Sequence, residues 1–213
     1  MLSPAEAEQL IERHVVPFPR EQCPLAAAHG RVLREPVRAD RDLPPFDRVT
    51  MDGYALRSSA WAAGVRTFRV GRVQAAGMRA FALGDSADSC IEVMTGAVLP
   101  TGADCVVPYE ETEREGATIR IREEVTVITA GSSVHRRGSD HRAGDEIISA
   151  GTRLGGKEIA AAAACGCATL MVSQLPRIAV VATGDELVEV EGAVAAHQIR
   201  RSNDHAIRAA LAL

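Results

Sequence analysis

Pro44-Pro45-Phe46-Asp47-Arg48-Val49-Thr50-Met51-Asp52-Gly53-Tyr54-Ala55 is the stretch on which the fold of this chain turns. A proline pushes its predecessor out of the α region, so Leu43-Pro44-Pro45 cannot be helical. Asp52-Gly53 then permits a tight turn and a close approach of a ligand to the backbone. Taken by itself, the pair is more simply an Asx-turn that leads into a strand. Downstream, short apolar runs at 67–73, 90–94, 105–107 and 118–121 are separated by Gly77, Gly84-Asp85, Pro100-Thr101-Gly102 and Glu115-Gly116. That pattern predicts a compact all-β module over 43–131. Residues 117–122 alternate as a half-buried strand does.

On either side of this module the pattern differs. Ser3 is placed as an N-cap, Pro4 as the first helical residue and Glu6 as the partner of a capping box. Ala7, Leu10, Ile11, His14 and Val15 recur at helical spacing until Pro17 and Pro19 stop the helix. A second short helix is expected over 25–33, interrupted at Gly30. After the module, 132–140 reads as a polar loop. Residues 146–149 follow as a strand, 156–165 as a helix closed by Gly166, and 169–172 as a strand. Residues 1–42 and 132–175 are therefore expected to form an elongated linker and dimerisation domain around the inserted module. From 176 the style changes again. Arg177-Ile178-Ala179-Val180-Val181-Ala182 reads as a strand covered on both faces. A loop and a helix capped by Ser202 complete a first β–α unit, which needs further parallel strands to bury it. Residues 176–213 thus read as the incomplete start of an α/β domain. The fold class expected is α+β and multidomain.

Composition narrows the function. The 213 residues hold 24 Lys+Arg against 28 Asp+Glu, a net charge of −4, which speaks against a nucleic-acid binder with a basic face. No apolar run approaches the roughly 20 residues of a membrane helix, and the first residues lack a secretory leader. Five irregularly spaced cysteines suit a reducing cytoplasm. Aromatics are only 3%, and none lies beyond Tyr109. The last hundred residues must pack with small aliphatic side chains, which bury little area each, so thin layers or burial completed by a second chain are expected.

Several clusters could carry chemistry, each with a plainer alternative. Thr95-Gly96, where a strand runs out, could present a hydroxyl and N–H groups to an anion, or be an ordinary turn. Arg136-Arg137-Gly138 suits phosphate recognition through planar bidentate donors, or a solvated charged loop. Asp185 and Glu186 lie at the carboxyl end of the apolar run, where open α/β sheets place ligands, or are acids at a helix start. Cys165-Gly166-Cys167 lacks the further ligands that zinc needs and reads as core. No P-loop, nucleophile elbow or dinucleotide fingerprint is present.

Taken in order, these segments resemble the MoeA family, the molybdopterin molybdenumtransferases. The resemblance runs through Pro44 to Asp47 and Met51 to Ala55, then Met94-Thr95-Gly96-Ala97 with Pro100 to Asp104, Val107 and Glu110-Glu111-Thr112. It continues through Arg136 to Asp140 with Ala143-Gly144-Asp145, then Ala150 to Leu154, and last Thr183-Gly184-Asp185-Glu186-Leu187. Arg48-Val49-Thr50 and Ser139 depart from the family pattern. The family's later glycine-rich pterin motifs and its C-terminal β domain fall outside these residues, so the 213 residues alone are expected not to turn over. The alternative is a non-catalytic dimerisation or binding module on the same scaffold.

The resemblance implies insertion of molybdenum from molybdate into adenylylated molybdopterin, with release of AMP. It also implies a cytoplasmic homodimer with a MogA-like pterin-binding domain, and contact with the molybdopterin adenylyltransferase. Asp52, Asp140 and Glu186 would be the catalytic acids and would share a Mg²⁺ ion with phosphate oxygens, because carboxylates repel anions unless a cation lies between. Thr95 and Gly96 would face a substrate oxygen, Arg136 or Arg137 would neutralise the anion, and Asp185 would order the turn that presents Glu186.

Overall fold

The structure is a computed structural model that describes residues 3–211. These fall into two compact units, one of residues 22–172 and one of the segment up to residue 21 together with residues from 173 onward.

The larger unit is built on a six-stranded sheet with the spatial order Cys105–Pro108, Gly53–Leu56, Ser89–Val93, Thr67–Gln74, Thr118–Ile121 and Thr112–Glu115. All neighbours are antiparallel except Thr67–Gln74 with Ser89–Val93. The alternation expected for 117–122 is present, with Ile119 and Ile121 buried and Arg120 exposed. Period-2 side chains feed two cores. Tyr54, Leu56, Phe68, Cys90, Cys105, Val107, Ile119 and Ile121 pack on one face. Ala55, Ile91, Val93 and Val106 pack on the other with Val49, Ala97 and Leu99. Gly53–Leu56 is therefore buried on both faces. Its first residue must be glycine: a Cβ on Gly53 would lie 2.1 Å from the Val107 carbonyl oxygen and 2.8 Å from Pro108 Cα.

The remainder of this unit has its own core of Leu33, Val37, Ile148, Leu154, Ala162 and Val172, without an aromatic ring. Val37–Arg38 pairs with Glu146–Ile148, and the helix Gly156–Ala164 covers them while burying only Ala162 fully. This is the thin packing that the composition predicts. Cys165 is buried at the helix end and Cys167 is partly buried against the same core, as the core reading expects.

Two expectations are corrected. Residues 25–33 are not a helix. A single 3₁₀ turn, Leu25–Ala27, is followed by Gly30 at φ 77° and by bridges from Val32 to Arg153 and from Leu33 to Val172. The left-handed glycine turns the chain so that Leu33 bonds to Thr152 instead of continuing a helical ladder. Residues 177–182 are not a strand and are mostly exposed, with Val181 at 78%. A strand exists only through a neighbour's ladder, and among the described residues none pairs with this run. In addition, the polar loop expected at 132–140 contains a two-residue strand, Val134–His135, opposite Arg48–Val49.

In the smaller unit, the helix Pro4–His14 forms as its caps predict. Ser3 Oγ accepts from the Glu6 N–H, and the Glu6 carboxylate accepts from the Ser3 N–H at 2.7 Å. None of its residues is buried. Leu187–Val188 pairs in parallel with Ile199–Arg200, and the helix Asn203–Leu211 follows Ser202. Among the described residues, no helix is long and apolar enough to cross a membrane.

Gly53→Ala is expected to cost about 3 kcal/mol or more, because backbone and not a mobile side chain occupies the space. Urea unfolding measures this, and a midpoint within error of the parent would show that the strands can separate freely here.

Candidate functional site

Asp52 is positioned by the sheet. Gly53 pairs with Val93 on one side and with Pro108 on the other. This register sets Asp52 at the strand's open end, opposite the turn that follows Val93. The turn closes through the Ala97 N–H to the Met94 carbonyl, with Gly96 at φ 86° and its N–H on Val49 O. Asp52 Oδ1 accepts from the Thr95 backbone N–H at 2.7 Å and from Thr95 Oγ1 at 2.8 Å. The Thr95 N–H, and then its hydroxyl, hold the Asp52 carboxyl below its usual range. Thr95, expected to donate to a substrate oxygen, here donates its one hydroxyl proton to Asp52. Asp52 Oδ2 carries no hydrogen bond and faces solvent on an exposed residue.

Behind this pair lies a network that sequence reasoning missed. The Tyr109 N–H donates to the Asp52 carbonyl at 3.1 Å. The Tyr109 hydroxyl donates to Glu92 at 2.7 Å, and Arg114 holds the other Glu92 oxygen at 2.7 Å. Tyr54 meets the Tyr109 ring edge-on at 5.3 Å between centroids. Desolvation, with the bond to Glu92, pushes the Tyr109 hydroxyl well above its usual pKa. The sequence signal was available: Glu92 and Tyr109 flank the two motifs that carry Thr95 and Glu110.

The charged segment 135–143 folds back on the segment 42–48. Asp47 accepts from the Arg137 N–H at 2.8 Å and from Arg136 Nη1 at 2.7 Å. Asp42 accepts from the Ala143 N–H at 3.1 Å and from Arg137 Nε at 2.8 Å. These backbone N–H groups first, and the guanidiniums second, hold both carboxyls low. The two arginines expected to neutralise an anion are thus engaged by Asp47 and Asp42, neither of which sequence reasoning assigned a role. Asp140 Oδ1 meets His135 Nε2 at 2.8 Å and Ser139 Oγ at 3.4 Å, leaving Oδ2 free.

Asp52 and Asp140 lie in the larger unit and Glu186 and Asp185 in the smaller. Asp185 and Glu186 are both exposed. The Glu186 carboxylate lies over Gly184, where a Cβ would meet Oε1 at 2.6 Å. Gly184 has φ 146°, which a side chain would rarely adopt. Among the described residues no group of three or more His, Cys, Asp or Glu is placed to hold a metal ion. Mg²⁺ is commonly held by one or two carboxylates together with substrate phosphates, not by an all-protein cage. Asp52 and Asp140 each keep one carboxylate oxygen without a protein hydrogen bond, the kind of ligand such an ion takes.

Comparison with known proteins agrees with the sequence resemblance. A family model described as the MoeA N-terminal region (domain I and II) matches residues 2–166. A molybdopterin molybdenumtransferase of Synechocystis sp. is 39% identical over 216 residues, covering 99% of this chain and 54% of that protein. One from Nostoc sp. is 35% identical, covering 87% of this chain and 42% of that protein. A crystal structure of a molybdopterin biosynthesis MoeA protein from Pyrococcus horikoshii superposes with a TM-score of 0.79 at 28% identity, covering 91% of this chain and 52% of that one. The chain spans about half the length of the curated relatives it matches.

Because Asp52, Asp47 and Asp42 are held ionised by donors, their carboxyls are expected to titrate below about 3.9, the ordinary aspartate value. A carboxyl depressed on folding adds stability above that value, and the contribution disappears as pH falls through the folded-state pKa. Thr95→Ala should raise the Asp52 pKa only part of the way, since the backbone N–H stays. Carboxyl ¹³C NMR titration reads each value, and an Asp52 titrating above 3.9 would contradict the geometry.

Proposed function

Since the chain belongs to the MoeA family, we propose that it supplies the Asp52–Thr95 and Asp140 portion of a molybdopterin molybdenumtransferase. Molybdenum cofactor biosynthesis is the process, molybdopterin the substrate scaffold and molybdate the metal donor. The finer reading is that the molybdopterin arrives adenylylated, that molybdenum enters its dithiolene, and that AMP leaves. The observation that carries the reading is the carboxylate of Asp52. It is held ionised at an open sheet end by a motif partner 43 residues away, with one oxygen directed to no protein group.

The chain's own residues then have defined tasks. Thr95 fixes the rotamer of Asp52, so that Oδ2 is presented without further ordering. Gly96 leaves the backbone open beside it. Arg136 and Arg137, paired with Asp47 and Asp42, keep the 136–143 segment in place and lend positive potential toward an incoming anion. Glu186, raised by the Asp185 turn, would add a third carboxylate. Asp52 and Asp140 would hold Mg²⁺ together with phosphate oxygens, and the ion would polarise the phosphoryl group. The working assembly in this reading is a cytoplasmic homodimer that completes the site across two copies and receives its pterin from the molybdopterin adenylyltransferase.

The test is molybdenum insertion by the complete gene product carrying these residues, followed as AMP release and molybdopterin-bound metal. Asp52→Ala is expected to lower turnover by at least a hundredfold, with an unchanged circular dichroism melt. Parent-level turnover in that variant would remove Asp52 from the site. A folded parent that fails to insert molybdenum would favour the non-catalytic module instead.

A further inference from the structure

His135 stands directly opposite Arg48 in the antiparallel pair formed by Val134–His135 and Arg48–Val49. Side chains in that relation face the same side of the ladder and touch. Arg48 Nη2 lies 3.1 Å from His135 Nδ1, and His135 Nε2 lies 2.8 Å from Asp140 Oδ1. A guanidinium carries donors only, so Nδ1 must be the acceptor in the first contact. The ring proton then sits on Nε2, where it donates to the Asp140 carboxylate. Each end of the imidazole is therefore assigned by its partner, and a ring flip would put Cδ2 and Cε1 where Nδ1 and Nε2 now meet Arg48 and Asp140.

The second half of the geometry concerns Asp140. Its backbone N–H donates to the Leu43 carbonyl at 3.0 Å, which anchors the residue to the 42–48 segment. Its side chain, half exposed, would otherwise sample its rotamers in solvent. Nε2–H occupies Oδ1 and leaves Oδ2 as the only oxygen without a hydrogen bond. We propose that His135, held by Arg48, is a positioning residue: as the neutral Nε2–H tautomer it orients the Asp140 carboxylate so that Oδ2 is presented to the substrate side. The proposal rests on the reading of Asp140 as a site residue. Ion pairing alone would not need a histidine here, because an exposed pair of this kind contributes little to stability. What the imidazole adds is direction, since it accepts at one end and donates at the other along a rigid ring.

The experiment has two arms. In the first, ¹⁵N-histidine NMR of the 213-residue chain at pH 8 reads the tautomer. A neutral ring protonated on Nε2 is expected, and the Nδ1–H tautomer would overturn the proposal. In the second, Asp140→Ala, His135→Ala and His135→Gln are compared in the complete gene product by AMP release. Glutamine can place an amide N–H where Nε2–H stood. His135→Ala is expected to lower kcat about tenfold to a hundredfold with KM and melting temperature near the parent's, and His135→Gln to recover most of it. If Asp140→Ala abolishes turnover while His135→Ala leaves it unchanged, the positioning role fails and the site reading stands. If Asp140→Ala itself leaves turnover unchanged, the site reading of Asp140 fails, and the positioning role with it.

Discussion

The approach of two backbones at Gly53 is the constraint on which the rest of the larger unit depends. With no Cβ, this residue lets Gly53–Leu56 lie against Cys105–Pro108 closely enough that the Val107 carbonyl fills the place of a side chain. The same residue pairs with Val93 on its other side. Once those two registers exist, Asp52 has no freedom of placement. Its carbonyl receives the Tyr109 N–H from one neighbour, and its carboxylate receives two donors from the turn after the other. A shift of one residue in either ladder would send Asp52 to the opposite face.

A second layer of organisation comes from charge. Asp42 and Asp47 on one side and Arg137 and Arg136 on the other join segments roughly ninety residues apart. Exposed ion pairs of this kind contribute little to stability individually. Their effect is positional, because Asp42 and Asp47 each also accept a backbone N–H. Those backbone bonds set where the loop runs, and the guanidiniums settle around them. The arginines are therefore already half neutralised, and whatever anion they attract must share them with the chain's own acids.

Elsewhere the packing follows from the scarcity of rings. The core around Leu33, Ile148 and Val172 holds only aliphatic side chains, alanines and cysteines, and its helix buries one alanine fully. The smaller unit buries still less: its N-terminal helix has none of its residues covered, and the run 177–182 stays exposed.

Much of this was legible in the residues themselves. Caps and prolines bounded the first helix, alternation placed 118–121, and a run of short apolar segments between glycines announced the β module, because these signals depend on neighbours a few positions apart. The same local logic failed at 25–33 and at 177–182, where a left-handed glycine and a missing ladder partner decide the outcome. The motifs around Asp52, Thr95, Arg136 and Asp140 could be picked out one by one. Their composition did not reveal that Thr95 serves Asp52, that Asp42 and Asp47 occupy the arginines, or that His135 sits between Arg48 and Asp140. Those pairings join residues 43 to 95 positions apart or across a two-residue strand. A hydrogen bond is made between atoms about 3 Å apart in space, and that distance exists only after the strand registers have closed.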